Sequence, residues 1–192
     1  MNYNELKEKA HSNAVKHGFW EKRLSNEHCL MLVITEIGEL IEADRSNKRR
    51  AKVDWFNKKM KTSIICRGLD PNISKERGYE VAYNETIKGS IEEEFADIAI
   101  RLFDLAGALG IDFDKMNPCR YYRAFDKFSF TENAFALCKG LSRDVIGIEK
   151  RIQFGIEYVK KWAESLNVDL VWHIEQKMKY NENRPTMHDK EY

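Results

Sequence analysis

Two pairs of acids and one mixed triad are the residues whose types and spacing could do chemistry in this chain. Glu36 and Glu39 stand three apart in TEIGELIEAD (residues 35–44), and Glu94 and Asp97 stand three apart in EEEFADIA (92–99). On a helix that spacing puts both members of a pair on one face. The residues before Glu36, CLMLVI from Cys29, are apolar on every side, so this helix must be buried against more than one neighbour. Carboxylates in such a place are costly unless they are paired or bind a metal. Four of them converging would repel and raise one another's pKa values. Magnesium relieves this, because it takes hard oxygen ligands at about 2.0–2.1 Å and keeps waters for phosphates; manganese would be its substitute. Glu36, Glu39, Glu94 and Asp97 are therefore the candidate metal ligands and catalytic acids. The triad is Lys177, Asn181 and Arg184, spaced i, i+4 and i+7 near the end of the chain. It presents an ammonium, an amide and a planar guanidinium fork on one face, a set that could hold a polyphosphate. Each element also has a plainer reading. One acidic pair alone is commonly a solvated face, and cations in a last turn suit the helix dipole.

The elements that must position these groups read as helices. The pattern predicts one over 4–16 and a second from a cap at Ser25 to about Arg45. A third is capped by Ser90, carries Glu92, Glu93 and Glu94 in its first turn, and ends at Gly110. Its apolar stripe is Ile91, Phe95, Ile98, Leu102, Leu105 and Leu109. Thr131 is expected to cap a shorter helix towards Leu141, Arg143 or Asp144 to open another reaching Leu166, and Asp169 to begin a last one that stops before Pro185. Strand-like alternation is rare, so the fold class is all-α. Packed antiparallel, the second and third helices would aim all four acids into one cavity. Asp104, further along the same side, is a lesser candidate for this acidic site and is expected instead to form a surface salt bridge with Arg101.

Two features break the pattern. Residues 45–90 read as a basic insertion, with eight Lys or Arg between Arg45 and Lys61 around Trp55 and Phe56, then turn-rich GLDPNISKERGY. Such a segment is expected as a mobile loop able to close over substrate. Alternatively, cations with interleaved aromatics make a nucleic-acid-binding module, whose affinity would fall with salt. Trp20, Trp55 and Phe56 are candidates to stack on a base. The second feature is an echo: AGALGIDF and AESLNVDL share Ala-x-x-Leu-x-(Ile/Val)-Asp-(Phe/Leu). It suggests a degenerate internal repeat, with the second copy over about 131–182. With Ala106 aligned to Ala163, Glu94 falls opposite Arg151 and Asp97 opposite Phe154, so only one copy keeps its acids.

Length and composition set bounds. The chain has 192 residues, 43% hydrophobic and 33% charged, with a formal net charge of +1, which suits one domain over 1–192. No run of about 18 apolar residues occurs and MNYNELKEKA lacks a signal-peptide core, so a cytoplasmic protein without a membrane partner is expected. Cys29, Cys66, Cys119 and Cys138 are scattered without zinc spacing, as in reduced thiols.

Taken together, EIGELIEA, EEEFADIAIRLFDLAGALGID and KMKYNENRP resemble the MazG-type all-α nucleoside triphosphate pyrophosphohydrolases, relatives of the dimeric dUTPases. The family's Glu-x-x-Glu and Glu-x-x-Asp signature is matched by Glu36, Glu39, Glu94 and Asp97. Its closing Lys…Asn…Arg-Pro is matched by Lys177, Asn181, Arg184 and Pro185. The resemblance implies a MazG-like helical bundle and a partner in a second copy of the chain, a homodimer. It also implies magnesium-dependent hydrolysis of a (d)NTP to (d)NMP and pyrophosphate, with one carboxylate taking the proton of a metal-bound water. This sequence departs from the family in having Thr35 before the first motif residue, the long basic insertion, and Asp189 where members carry Gly. A helical protein with no site is a rival reading, and it predicts that Glu36 and Asp97 are exposed.

Overall fold

In the computed structural model the described residues are 2–48, 53–65, 71–119 and 123–184, with the side chains of 64–65 and 71–74 outside the description. Among them are eight α-helices, two short 3-10 turns and no strand. The helices are α1 (Tyr3–Lys16), α2 (Asn26–Arg45), α3 (Val53–Ile65), α4 (Pro71–Thr86), α5 (Ile91–Ala108), α6 (Phe130–Leu141), α7 (Ile148–Ser165) and α8 (Leu170–Glu182). None is long and apolar enough to cross a membrane.

Helix α5 is the centre of the bundle, with α1, α2, α7 and α8 all packed on it. Its start is fixed by Ser90, whose hydroxyl accepts from the Glu93 N–H, and Ser25 does the same for α2 through His28 N–H. The apolar stripe of α5 is too wide for one partner. Phe95, Ile98, Ala99, Leu102 and Phe103 are buried together with Val33, Ile37 and Leu40 of α2. Each large aliphatic or aromatic side chain so buried contributes about 1.5–3 kcal/mol. α2 runs antiparallel to α5: the Ile91 N–H donates to the Lys48 carbonyl at one end of the pair, and Arg101 meets Glu36 further along. α1 also runs antiparallel to α5, with Lys7 Nζ on the Ile111 carbonyl and His11 on Asp104. Its approach is so close that a Cβ on Gly107 would lie 2.4 Å from His11 Cβ. On the other side, Trp162 of α7 meets Phe95 edge-on at 5.0 Å and Phe130 at 4.7 Å.

Three sequence expectations are corrected. The cap of α6 is Ser129, not Thr131, because Ser129 and Glu132 form a reciprocal capping box. α7 begins at Ile148 behind Gly147 rather than at Arg143 or Asp144. The basic insertion holds two helices in place of a loop. α3 and α4 pack on each other and share a second apolar cluster of Phe56, Tyr79, Ala82, Tyr83 and Ile87, joined by Trp172 and Tyr180 of α8. Pro71, read as punctuation, is the first residue of α4, where its missing N–H costs no hydrogen bond.

Candidate active site

Glu36 and Glu39 on α2 and Glu94 on α5 come together as the spacing predicts. One carboxylate oxygen from each lies within 4.8 Å of the others. Glu36 and Glu94 are buried while Glu39 reaches solvent, so the group has a closed side and an open one. Glu36 and Glu94 are therefore not on a solvated face, whereas Glu39 is. Glu94 Oε2 has no hydrogen-bond partner despite its burial. Burial, reinforced by Asp97 and Glu93, pushes the Glu94 carboxyl up to about 9. Three carboxylates with an orphaned buried oxygen, two of them lining a cavity, are a donor set that fits a hard divalent cation.

Asp97, the fourth predicted ligand, lies beside this group with a different partner. Its Oδ2 is 2.6 Å from Lys177 Nζ, and the same ammonium is 2.6 Å from Glu93 Oε1. Burial holds the Asp97 carboxyl up at about 7, with Lys177 pulling the other way. Burial also opposes the Lys177 charge, yet Asp97 and Glu93 together raise its pKa above the ordinary lysine value. The ammonium is therefore a fixed buried cation. Arg101, expected on Asp104, donates instead from Nε to Glu36 Oε1 at 2.6 Å. Asp104 is held from the other direction, its Oδ1 accepting from His11 Nδ1 and Trp20 Nε1, both at 2.8 Å.

Beside these groups lies one cavity of about 200 Å³ walled by α1, α2, α5 and α8. Glu36, Glu39 and Asp97 face it, and so do Lys177, Asn181 and Arg184, the whole predicted triad. The Asn181 Oδ1 is buried without a partner, and among the described residues Arg184 makes no ion pair. α1 and the turn after it add Asn13, Phe19 and Trp20, so the lining combines acidic side chains with apolar and aromatic ones.

The sequence reading missed three site residues. Glu93 is buried and accepts from the Tyr83 hydroxyl at 2.7 Å, from Lys177 and from the Gly89 N–H. Its signal was present as the middle of three successive glutamates. His11 and Arg101 carry no local signal, because their partners are far along the chain. The expected base-stacking residues divide: Trp20 lines the cavity, Phe56 is buried in the α3–α4 cluster, and Trp55 is exposed. No described residue of α3 or α4 lines the cavity. Lys59 of the basic segment is paired with Glu85. Arg49, Arg50, Lys52 and Gly68, with Pro185 and the tail through Asp189, lie outside the described residues. No family model, curated protein or solved structure matches this chain.

Proposed function

We propose that the chain is a magnesium-dependent nucleoside triphosphate pyrophosphohydrolase that cuts between the α and β phosphates. The observation that carries the reading is the three-carboxylate group of Glu36, Glu39 and Glu94, of which Glu36 and Glu39 line the same cavity as Asn181 and Arg184 while the orphaned Glu94 oxygen lies buried behind them. Acids alone would suit many metal proteins. Acids sharing a cavity with the Arg184 guanidinium suit a metal-bound polyphosphate. Glu36, Glu39 and Glu94 would hold the ion, with Asp97 beside them. Bound there, magnesium would neutralise phosphate charge and lower the pKa of a water, and manganese could replace it.

The chain's own groups have separable tasks in this reading. Arg184 holds the phosphates, since among the described residues its guanidinium makes no ion pair, and Asn181 lines the cavity beside it. Lys177 serves chiefly to fix Asp97 and Glu93, to which it is already bound. Arg101 orients Glu36 through its Nε bond. A carboxylate of the group takes the proton from the attacking water. The test is pyrophosphate release from a panel of nucleoside triphosphates, with and without magnesium, by wild type, Glu36→Gln and Arg184→Ala. The glutamine variant should lose turnover, and the alanine variant should chiefly raise KM. Unchanged release by Glu36→Gln would end the metal assignment.

Homodimerisation and a cytoplasmic setting belong to the same proposal, and sedimentation of the protein as a monomer would remove the first. We also infer that α6 and α7 are a degenerate copy of α2 and α5. α5 and α7 are both 18 residues long, and Gly110 and Asn167, two residues past each helix end, share a positive φ of 64° and 58°. Asp112 and Asp169 then cap the next elements. α6 is shorter than α2, 12 residues against 20, so the copies differ there. An experimental structure whose α6–α7 pair does not superpose on α2–α5 would overturn this inference.

A further inference from the structure

The cavity lining contains a further carboxylate, Asp104, that the proposed hydrolysis does not use. Asp104 lies seven residues beyond Asp97 on α5, about 10 Å along the helix axis. It faces the cavity among Trp20, Leu24, Leu32 and Ile100, side chains that would cover an aromatic ring and not a phosphate. Arg101, the cation nearest in sequence, is committed to Glu36. Two N–H groups from α1 and the following turn, His11 Nδ1 and Trp20 Nε1, converge on one oxygen, Oδ1, at 2.8 Å each. His11 must be the tautomer that carries its proton on Nδ1. Two donors on one oxygen fix the carboxyl plane. Among the described residues no donor reaches Oδ2, the other oxygen.

We propose that Asp104 is a specificity-determining residue that reads the base of the substrate and selects bases bearing an exocyclic amino group. The inference rests on the nucleotide reading of the cavity and extends it to the choice of base. A carboxylate can only accept hydrogen bonds. Cytosine, adenine and guanine offer an amino N–H to such an oxygen. Uracil and thymine would turn a carbonyl towards it, leaving two buried acceptors opposed and unpaired, which is the costly case. The surrounding apolar side chains sharpen the choice by excluding the water that would otherwise satisfy the wrong base. Distance along α5 agrees with the assignment, since a nucleotide must separate its base from the phosphates held near Glu94 and Asp97.

The geometry also fixes what a conservative variant does. In Asp104→Asn the oxygen stays on His11 and Trp20, because both are donors. The amide nitrogen must then take the place of Oδ2 and present N–H to the cavity. Preference should turn from amino-bearing bases towards uracil and thymine.

The experiment compares kcat/KM for CTP, ATP and GTP against UTP and dTTP, with magnesium, for wild type, Asp104→Asn and Trp20→Phe. In parallel, calorimetry measures binding of the non-hydrolysable α,β-methylene analogues of CTP and UTP, and thermal melts check folding. Wild type should favour the amino-bearing bases by at least about tenfold. Asp104→Asn should narrow or reverse that ratio, and Trp20→Phe, which frees one side of Oδ1, should narrow it without reversal. If Asp104→Asn fails to fold, Trp20→Phe decides. Turnover with no base preference, or with the wild-type preference kept in the variants, overturns the role of Asp104 and leaves the hydrolase intact. No turnover, but CTP-analogue binding preferred and then lost in the variants, upholds Asp104 and overturns hydrolysis. Neither turnover nor selective binding overturns both.

Discussion

Replacing Glu94 by Gln should make the metal-free protein more stable while blunting its response to magnesium. The magnitude follows from the site. Burial and the neighbouring acids push the Glu94 carboxyl from its ordinary 4.5 up to about 9. At pH 7 the folded chain must therefore hold it protonated, whereas the unfolded chain leaves it ionised. The gap between 4.5 and 7, at about 1.36 kcal/mol per pKa unit, sets a cost of roughly 3 kcal/mol, less whatever local relaxation recovers. A neutral amide of the same shape avoids that cost, so Glu94→Gln should gain about 1–3 kcal/mol at pH 7. The sign is definite: because the folded-state value is raised, the Glu94 contribution is fully present below about 4.5 and is lost as pH climbs towards 9. The stability difference between variant and wild type should accordingly grow from pH 5 to pH 9. Urea denaturation in chelator at those pH values measures it, and melting curves with added magnesium complete the test. Wild type should gain melting temperature with the ion, and the variant should gain much less. A variant that is less stable than wild type in chelator, by an amount that does not change with pH, would mean that Glu94 is ionised and paired, and the orphaned-carboxyl argument would fail.

Other perturbations address other parts of the structure. Lys177→Met leaves Glu93 and Asp97 as buried acids without their cation, and should cost about 3–5 kcal/mol in chemical denaturation; a neutral result would show the ion pair to be dispensable. Ser129→Ala should lose about 1 kcal/mol by breaking the capping box of α6. Thr131→Ala should lose almost nothing, and equal losses would contradict the observed cap. Burial lowers the His173 pKa to about 4 from its usual 6.5, so stability should fall as pH drops through that window, by up to about 3 kcal/mol. His173→Gln should flatten this acid limb in a denaturation series from pH 7 to pH 4, and an unchanged limb would place the titration elsewhere.

How far the sequence revealed this arrangement depended on whether the signal was local. Ser25, Ser90 and Asp169 were legible as caps because each hydroxyl or carboxylate bonds an N–H within its own first turn. The two acidic pairs were legible because three-residue spacing and an apolar surround are properties of a short stretch. Helix α4 was hidden by Pro71 and Gly78, although Tyr79, Ala82 and Tyr83 have helical spacing. The site's long-range polar contacts were invisible for a different reason. Arg101 and Glu36 are 65 positions apart, and His11 and Asp104 are 93 apart. Arg101 therefore read as the partner of its near neighbour Asp104, which is one turn away, when packing against α2 offered it a more buried carboxylate. The same distance hid α1, whose composition gives no hint that it forms a wall of the cavity.

Hydrolysis in oxygen-18 water tests the central claim most directly. The protein, magnesium and a nucleoside triphosphate are incubated in labelled water, and the products are resolved by phosphorus NMR and mass. Attack at the α phosphorus by a water activated beside Glu36, Glu39 and Glu94 predicts one labelled oxygen in the nucleoside monophosphate and none in an intact pyrophosphate. Both products should vanish in chelator. Release of labelled orthophosphate with a nucleoside diphosphate, or no turnover of any nucleotide with magnesium present, would contradict the account.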